Sequence, residues 1–144
     1  MATIPYDREN VFLKIIEGKI PSFKIFETEH VLAVLDAFPL VPGHALLLPK
    51  ATGYATIMDM PAEVAAELFR ELPRLAKAVQ EATGADGINI IQNNGPAAGQ
   101  AVFHLHIHVI PRFDDDGVLK LAAGSVMINK DDGVAMLGKI QGKL

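Results

Sequence analysis

Apolar residues in this chain fall into several strand-length runs and one long run with a spacing of three to four. Asn-Val-Phe-Leu-Lys-Ile-Ile-Glu at residues 10–17 predicts a short helix, capped by Asn10 and stopped by Gly18. Phe23 to Thr28 and His30 to Leu35 are strand-like, with an acidic turn between them. Gly43 to Pro49 is a third strand, apolar and ended by its proline. Pro61 to Thr83 carries the helical spacing: Val64, Leu68, Leu72, Leu75 and Val79 form one stripe, with Pro61 in the first turn and Gly84 as the C-terminal cap. Pro73 removes a backbone donor inside this helix and should kink it. Gly87 to Gln92 is a fourth strand, and Val102 to Pro111 a fifth. Past Asp116 the pattern is broken by glycine, and only a short helix at Val134 to Ile140 is expected. Strands that do not alternate with helices predict an α+β fold, a five-stranded, mostly antiparallel sheet with one long and one short helix.

Composition narrows the picture without changing it. The 144 residues suit one domain, 1–144, with a substantial core. A formal charge of −4 leaves no general basic field, so neither a nucleic-acid partner nor a membrane surface is expected. With no cysteine, disulfides and thiolate metal sites are excluded. No apolar run approaches the ~20 residues of a membrane span, and the first residues carry no signal-peptide pattern, so a cytoplasmic location is expected.

The fifth strand holds the candidate chemistry. In Phe103-His104-Leu105-His106-Ile107-His108-Val109-Ile110-Pro111, histidines alternate with apolar residues. In a strand the three imidazoles would share one face while Leu105, Ile107 and Val109 enter a core. Three readings follow. Hydrogen bonds in a buried strand would satisfy the rings structurally. Two of the rings could chelate a metal, but three same-face positions span roughly 14 Å, and the nearest acids, Asp114 to Asp116, lie beyond Pro111. Or the rings could serve a phosphate: the preceding loop, Asn93 to Gln100, has glycines at 95 and 99, whose backbone path can aim consecutive N–H groups at one anion, with Asn93 and Gln100 as further donors. Beside such a loop, a neutral imidazole is a competent nucleophile for phosphoryl transfer.

The run from Gly99-Gln100-Ala101 through the three histidines to Pro111-Arg112 resembles the signature of the histidine-triad (HIT) nucleotide hydrolases and transferases. Phe12 to Ile16 with Ile20-Pro21, Leu35-Asp36 with Pro39, and Gly43-His44 through Pro49-Lys50 resemble earlier segments of that family in order and spacing. The resemblance covers about residues 10–112, which would be the core of a HIT-like fold, with 113–144 a variable tail. It implies that His106 attacks the α-phosphate of a nucleotide derivative and is nucleotidylated, that His108 bonds the phosphate, and that His104 orients its neighbours. It further implies that Asp36 binds the ribose hydroxyls, that Asn93, Gly99, Gln100 and Ala101 surround phosphate and sugar, that Phe12, Ile15 and Ile20 wall the base, and that His44 stands near the site. The implied activity releases a nucleoside monophosphate, AMP above all, from purine nucleoside phosphoramidates or dinucleoside polyphosphates, without a metal or other cofactor. The alternative is a nucleotide-binding member with little catalysis. A homodimer with joined sheets is expected on the same ground.

Two departures bear on this. Many microbial members hold structural zinc with Cys-x-x-Cys and a histidine after Pro-Lys; Asn10, Leu13 and Thr52 stand at those positions, so no structural zinc is expected. Ala101 stands where relatives often carry a hydroxyl thought to protonate a leaving amine, which tilts the expectation toward phosphoanhydrides. If His106 must be neutral to attack, hydrolysis should fall as pH drops through its pKa, and a profile flat from about pH 5 to about pH 8 would count against an imidazole nucleophile.

Overall fold

A computed structural model describes residues 3–120, 124 and 126–144. Five strands form one fully antiparallel sheet in the order β1-β2-β3-β5-β4: β1 is Lys24–Glu27, β2 Val31–Leu35, β3 Ala45–Pro49, β4 Gly87–Ile91 and β5 Ile107–Arg112. Helix α1, Val11–Ile16, starts as expected at Asn10, whose side chain accepts from the Leu13 N–H.

β2 and β3 read as continuous apolar runs because both faces of the sheet are covered. Val31, Ala33, Ala45 and Leu47 face the core shared with the main helices, together with Leu105, Ile107 and Val109. Leu32, Val34, Leu46 and Leu48 face the other way, under Phe12, Ile15 and Ile16 of α1. Alternation in the histidine segment therefore sends its apolar residues into the core as predicted.

The predicted long helix is interrupted. α2 spans Ala62–Arg70 and α3 spans Leu72–Thr83, with Glu71 between them and Pro73 in the first turn of α3. Proline has no N–H for the preceding turn, so the chain bends and restarts where the bond is missing. The apolar stripe survives the bend: Leu68, Leu75 and Val79 are buried, and Val64 and Leu72 pack beside them. α3 ends on Gly84 at φ +67, a left-handed cap. Gly43, at φ +93, lets the turn before β3 pass close to α3, since a Cβ there would lie 2.5 Å from Thr83 Cγ2. The tail helix α4, Lys130–Gln141, is longer than predicted and buries none of its residues.

The fifth strand is shorter than its pattern. β5 begins at Ile107, so His108 alone of the three histidines lies within it. The Leu105 N–H donates to the Tyr54 carbonyl, and the His106 ring folds back on the His104 carbonyl. Those bonds take the backbone groups that a longer ladder would need.

Candidate functional site

A cavity of about 460 Å³ opens on the α1 face of the sheet. Val11, Phe12 and Ile15 from α1, Pro21 to Phe23 from the approach to β1, and Val34 to Phe38 at the end of β2 form most of its wall. Leu46, Gly99, Ala101 and Val102 complete it, with His106 and His108 beside them. The slot is apolar, with two imidazoles and the Asp36 carboxylate as its titratable groups. It suits a flat ring with a polar, anionic end.

Hydrogen bonding fixes the tautomer of each histidine here. His106 Nδ1 lies 2.7 Å from the His104 carbonyl, which can only accept, so Nδ1 carries the proton and Nε2 keeps a free lone pair. The edge of that ring meets Phe12, with centroids 4.7 Å apart, and His108 at 4.9 Å. His44 Nδ1 accepts from the Leu40 N–H at 3.1 Å, so its proton sits on Nε2. That N–H donates to His108 Nδ1 at 2.9 Å, which leaves the proton of His108 on its own Nε2. Site chemistry thus has a lone pair on His106 and an N–H donor on His108, both at the cavity wall.

Burial keeps these rings neutral. Desolvation pushes His106 down to about 4, more than the acceptor carbonyl of His104 raises it. His104 is likewise pushed down to about 4 by burial. His44 and His108 are lowered by burial, against the opposing pull of Asp36, and His44 lowers His108 further. A profile flat from about pH 5 to about pH 8 therefore does not count against an imidazole nucleophile here, since burial holds His106 down to about 4 and an acid limb through its pKa belongs near that value.

Asp36 caps the turn after β2, accepting from the Phe38 N–H at 2.9 Å with Oδ1, while Oδ2 lies 3.4 Å from His44 Nε2 and 3.9 Å from His108 Nδ1. These three residues bring potential metal-ligand atoms within 4.8 Å of one another. The donor set fits an ion poorly, because the His44–His108 hydrogen bond already occupies one lone pair and one proton between them.

The cavity therefore collects Phe12, Ile15, Asp36, Gly99, Ala101, His106 and His108 of the residues singled out in the sequence. His44 stands behind His108. Ile20 lies in the turn after α1, outside the wall. Asn93 lies beside Gly99, its Nδ2 3.7 Å from where a Cβ on Gly99 would be. Gln100 does not offer its amide to a ligand: Oε1 accepts from the Gly95 N–H and Nε2 donates to the Ala55 and Val102 carbonyls. The N–H groups of Ala98, Gly99 and Gln100 are also spent inside this turn, on the Gly95 and Pro96 carbonyls. The loop is thus a self-closed turn rather than an open anion cradle. His104 is fully buried, its ring bonded to Pro49 and Tyr6 instead of facing the cavity. Sequence reading missed Tyr6, which no periodicity marks, and Phe38, which is 91% exposed at the mouth. Proximity to Asp36 was the one signal that could have found Phe38.

The HIT domain model matches residues 17–115. Adenylylsulfatase HINT3 of Arabidopsis thaliana is 44% identical over 106 residues, 74% of this chain and 53% of that protein, so the chain spans about half the length of that relative. Adenosine 5'-monophosphoramidase HNT1 of Saccharomyces cerevisiae is 43% identical over 109 residues, 76% of this chain and 66% of that protein. A HIT family protein of Bacillus subtilis has the same fold at a TM-score of 0.89, with 34% identity, 95% of this chain and 98% of that one covered. The antiparallel sheet and the bent helix are those of the solved HIT family proteins. The chain belongs to the histidine-triad (HIT) family.

Proposed function

We propose that the protein hydrolyses purine nucleotide derivatives by nucleotidyl transfer to His106, releasing AMP. The observation that carries this reading is the bond from His106 Nδ1 to the His104 carbonyl, which leaves a neutral Nε2 lone pair at the wall of the cavity. The base would lie in the apolar slot between α1 and the end of β2, and the ribose diol would donate to Asp36. His106 Nε2 forms a bond to the α-phosphorus as the bond to the leaving group breaks, while the His108 N–H holds a phosphate oxygen. Water then forms the new P–O bond, the P–Nε2 bond breaks, and AMP leaves. The water's proton passes to bulk solvent.

Leaving-group chemistry separates the substrates. An amine needs a proton as it departs; a phosphate or sulfate does not. Ala101 lines the cavity and has no proton to give from its side chain. This favours anhydrides, namely dinucleoside polyphosphates or an adenylyl sulfate of the kind named for the Arabidopsis relative, over the phosphoramidates named for the yeast one. A homodimer is part of the proposal.

AMP release from diadenosine polyphosphate, adenylyl sulfate and adenosine phosphoramidate tests this, with wild type and His106→Ala compared in the presence of chelator. Turnover by wild type alone, fastest on the anhydrides, is expected. Nucleotide binding without turnover would leave a binding protein, and loss of activity to chelator would point to a metal.

A further inference from the structure

Among the described residues ahead of α1, 3–10, there is no regular element, yet both Ile4 and Asn10 are anchored. Asn10 donates to the Asp7 carbonyl through its backbone N–H and through Nδ2, at 3.2 and 2.6 Å. Ile4 reaches the loop before the histidines, with its Cδ1 3.2 Å from where a Cβ on Gly95 would be. Between these anchors the half-buried Tyr6 places its hydroxyl 2.7 Å from Nδ1 of His104.

That hydroxyl meets a ring with no freedom to spare. His104 is completely buried, and its Nε2 lies 2.9 Å from the Pro49 carbonyl, which only accepts. The ring proton is therefore on Nε2, Nδ1 is a bare acceptor, and the Tyr6 hydroxyl donates to it. The main-chain carbonyl of this same residue takes the Nδ1–H of His106. One residue is thus gripped on its ring by Tyr6 and Pro49 and grips the His106 ring with its backbone. Rings held by such outer contacts keep a reactive nitrogen within the small tolerance that attack requires.

We propose that Tyr6 is a positioning residue for the reaction at His106: its hydroxyl locks the His104 ring in the Nε2–H form and so fixes the carbonyl that aims the His106 lone pair. This rests on the reading of His106 as nucleophile. Without the hydroxyl, Nδ1 of a buried ring has no partner, and the ring gains by turning or by moving its proton, either of which disturbs the bond to Pro49.

The 144-residue chain with Tyr6→Phe tests this. Loss of one hydrogen bond of this kind should lower kcat for AMP release about threefold to tenfold, with KM unchanged to within about twofold. A role confined to stability would lower the melting temperature and leave kcat untouched well below it. If Tyr6 acts through His104, Tyr6→Phe should cost nothing further in a His104→Asn background. Nitrogen-15 NMR of the imidazoles gives a readout without substrate. In wild type, His104 should carry its proton on Nε2, and in Tyr6→Phe the Nδ1–H resonance of His106 should shift. Should wild type prove inactive, the nucleophile reading fails, and that resonance alone decides whether Tyr6 orients His106. A wild-type His104 protonated at Nδ1, an unmoved His106 resonance or an unchanged kcat overturns the proposal. Should Tyr6→Phe not fold, the wild-type tautomer decides.

Discussion

Mild acid should weaken this protein through its buried histidines. Burial holds His104 and His106 down to about 4 in the folded chain, against an ordinary value of 6.5. Unfolding exposes both rings and returns them to that ordinary value. As pH falls below it, the unfolded chain takes up two protons that the folded chain refuses, so the stability present above 6.5 is lost progressively toward about 4. Between about pH 7 and about pH 5 the loss is about 2 kcal/mol for each ring, and about 4 kcal/mol for the pair. His44 and His108 are shifted the same way and add to it. Glu27 contributes later: hydrogen bonds from Lys24 and Lys50 hold it down to about 2, and its unfolded form protonates only near 4.5. The chain has no tryptophan, so urea unfolding is best followed by far-ultraviolet circular dichroism. With a slope of about 2 kcal/mol per molar, the midpoint should fall by about 2 M between those two pH values. A midpoint that moves by less than about 0.5 M would refute the argument, since the rings would then be hydrated or already protonated in the folded protein.

His44→Phe removes the proton that occupies His108 Nδ1, so kcat should fall about tenfold with a smaller change in KM; an unchanged kcat in steady-state assays would show that His44 does not set the His108 tautomer. Ala101→Ser restores a hydroxyl at the cavity wall and should raise the rate on phosphoramidate relative to anhydride at least about tenfold, whereas an unaltered ratio would show that the leaving amine finds its proton elsewhere. Gly43→Ala forces a Cβ toward Thr83 in a left-handed backbone, and calorimetry should find about 1–3 kcal/mol of lost stability. An unaffected melting temperature would mean that the turn and α3 separate at little cost.

Local chemistry along the chain was enough for the elements. Asn10 and Gly84 cap helices whichever partners surround them, and an apolar stripe at helical spacing has one face to bury, so α1 and the pair α2–α3 were legible from sequence. Alternation in the histidine segment was equally sufficient to send Leu105, Ile107 and Val109 into the core. The resemblance to the HIT family, not periodicity, set Asp36 beside His106 and His108, and all three line one cavity. What each histidine does there was decided by contacts across the fold. His104 lost its expected place at the cavity because Pro49 and Tyr6, 55 and 98 residues away, claim its two ring nitrogens. Gln100 lost its expected ligand role because the loop needs its amide to close. The tautomer of His108 depends on His44, 64 residues distant, and through it on the Leu40 N–H. Periodicity reports which side of an element is apolar; it carries nothing about which distant donor or acceptor will meet a ring nitrogen, and in a desolvated site that meeting sets where the proton sits and which lone pair is free.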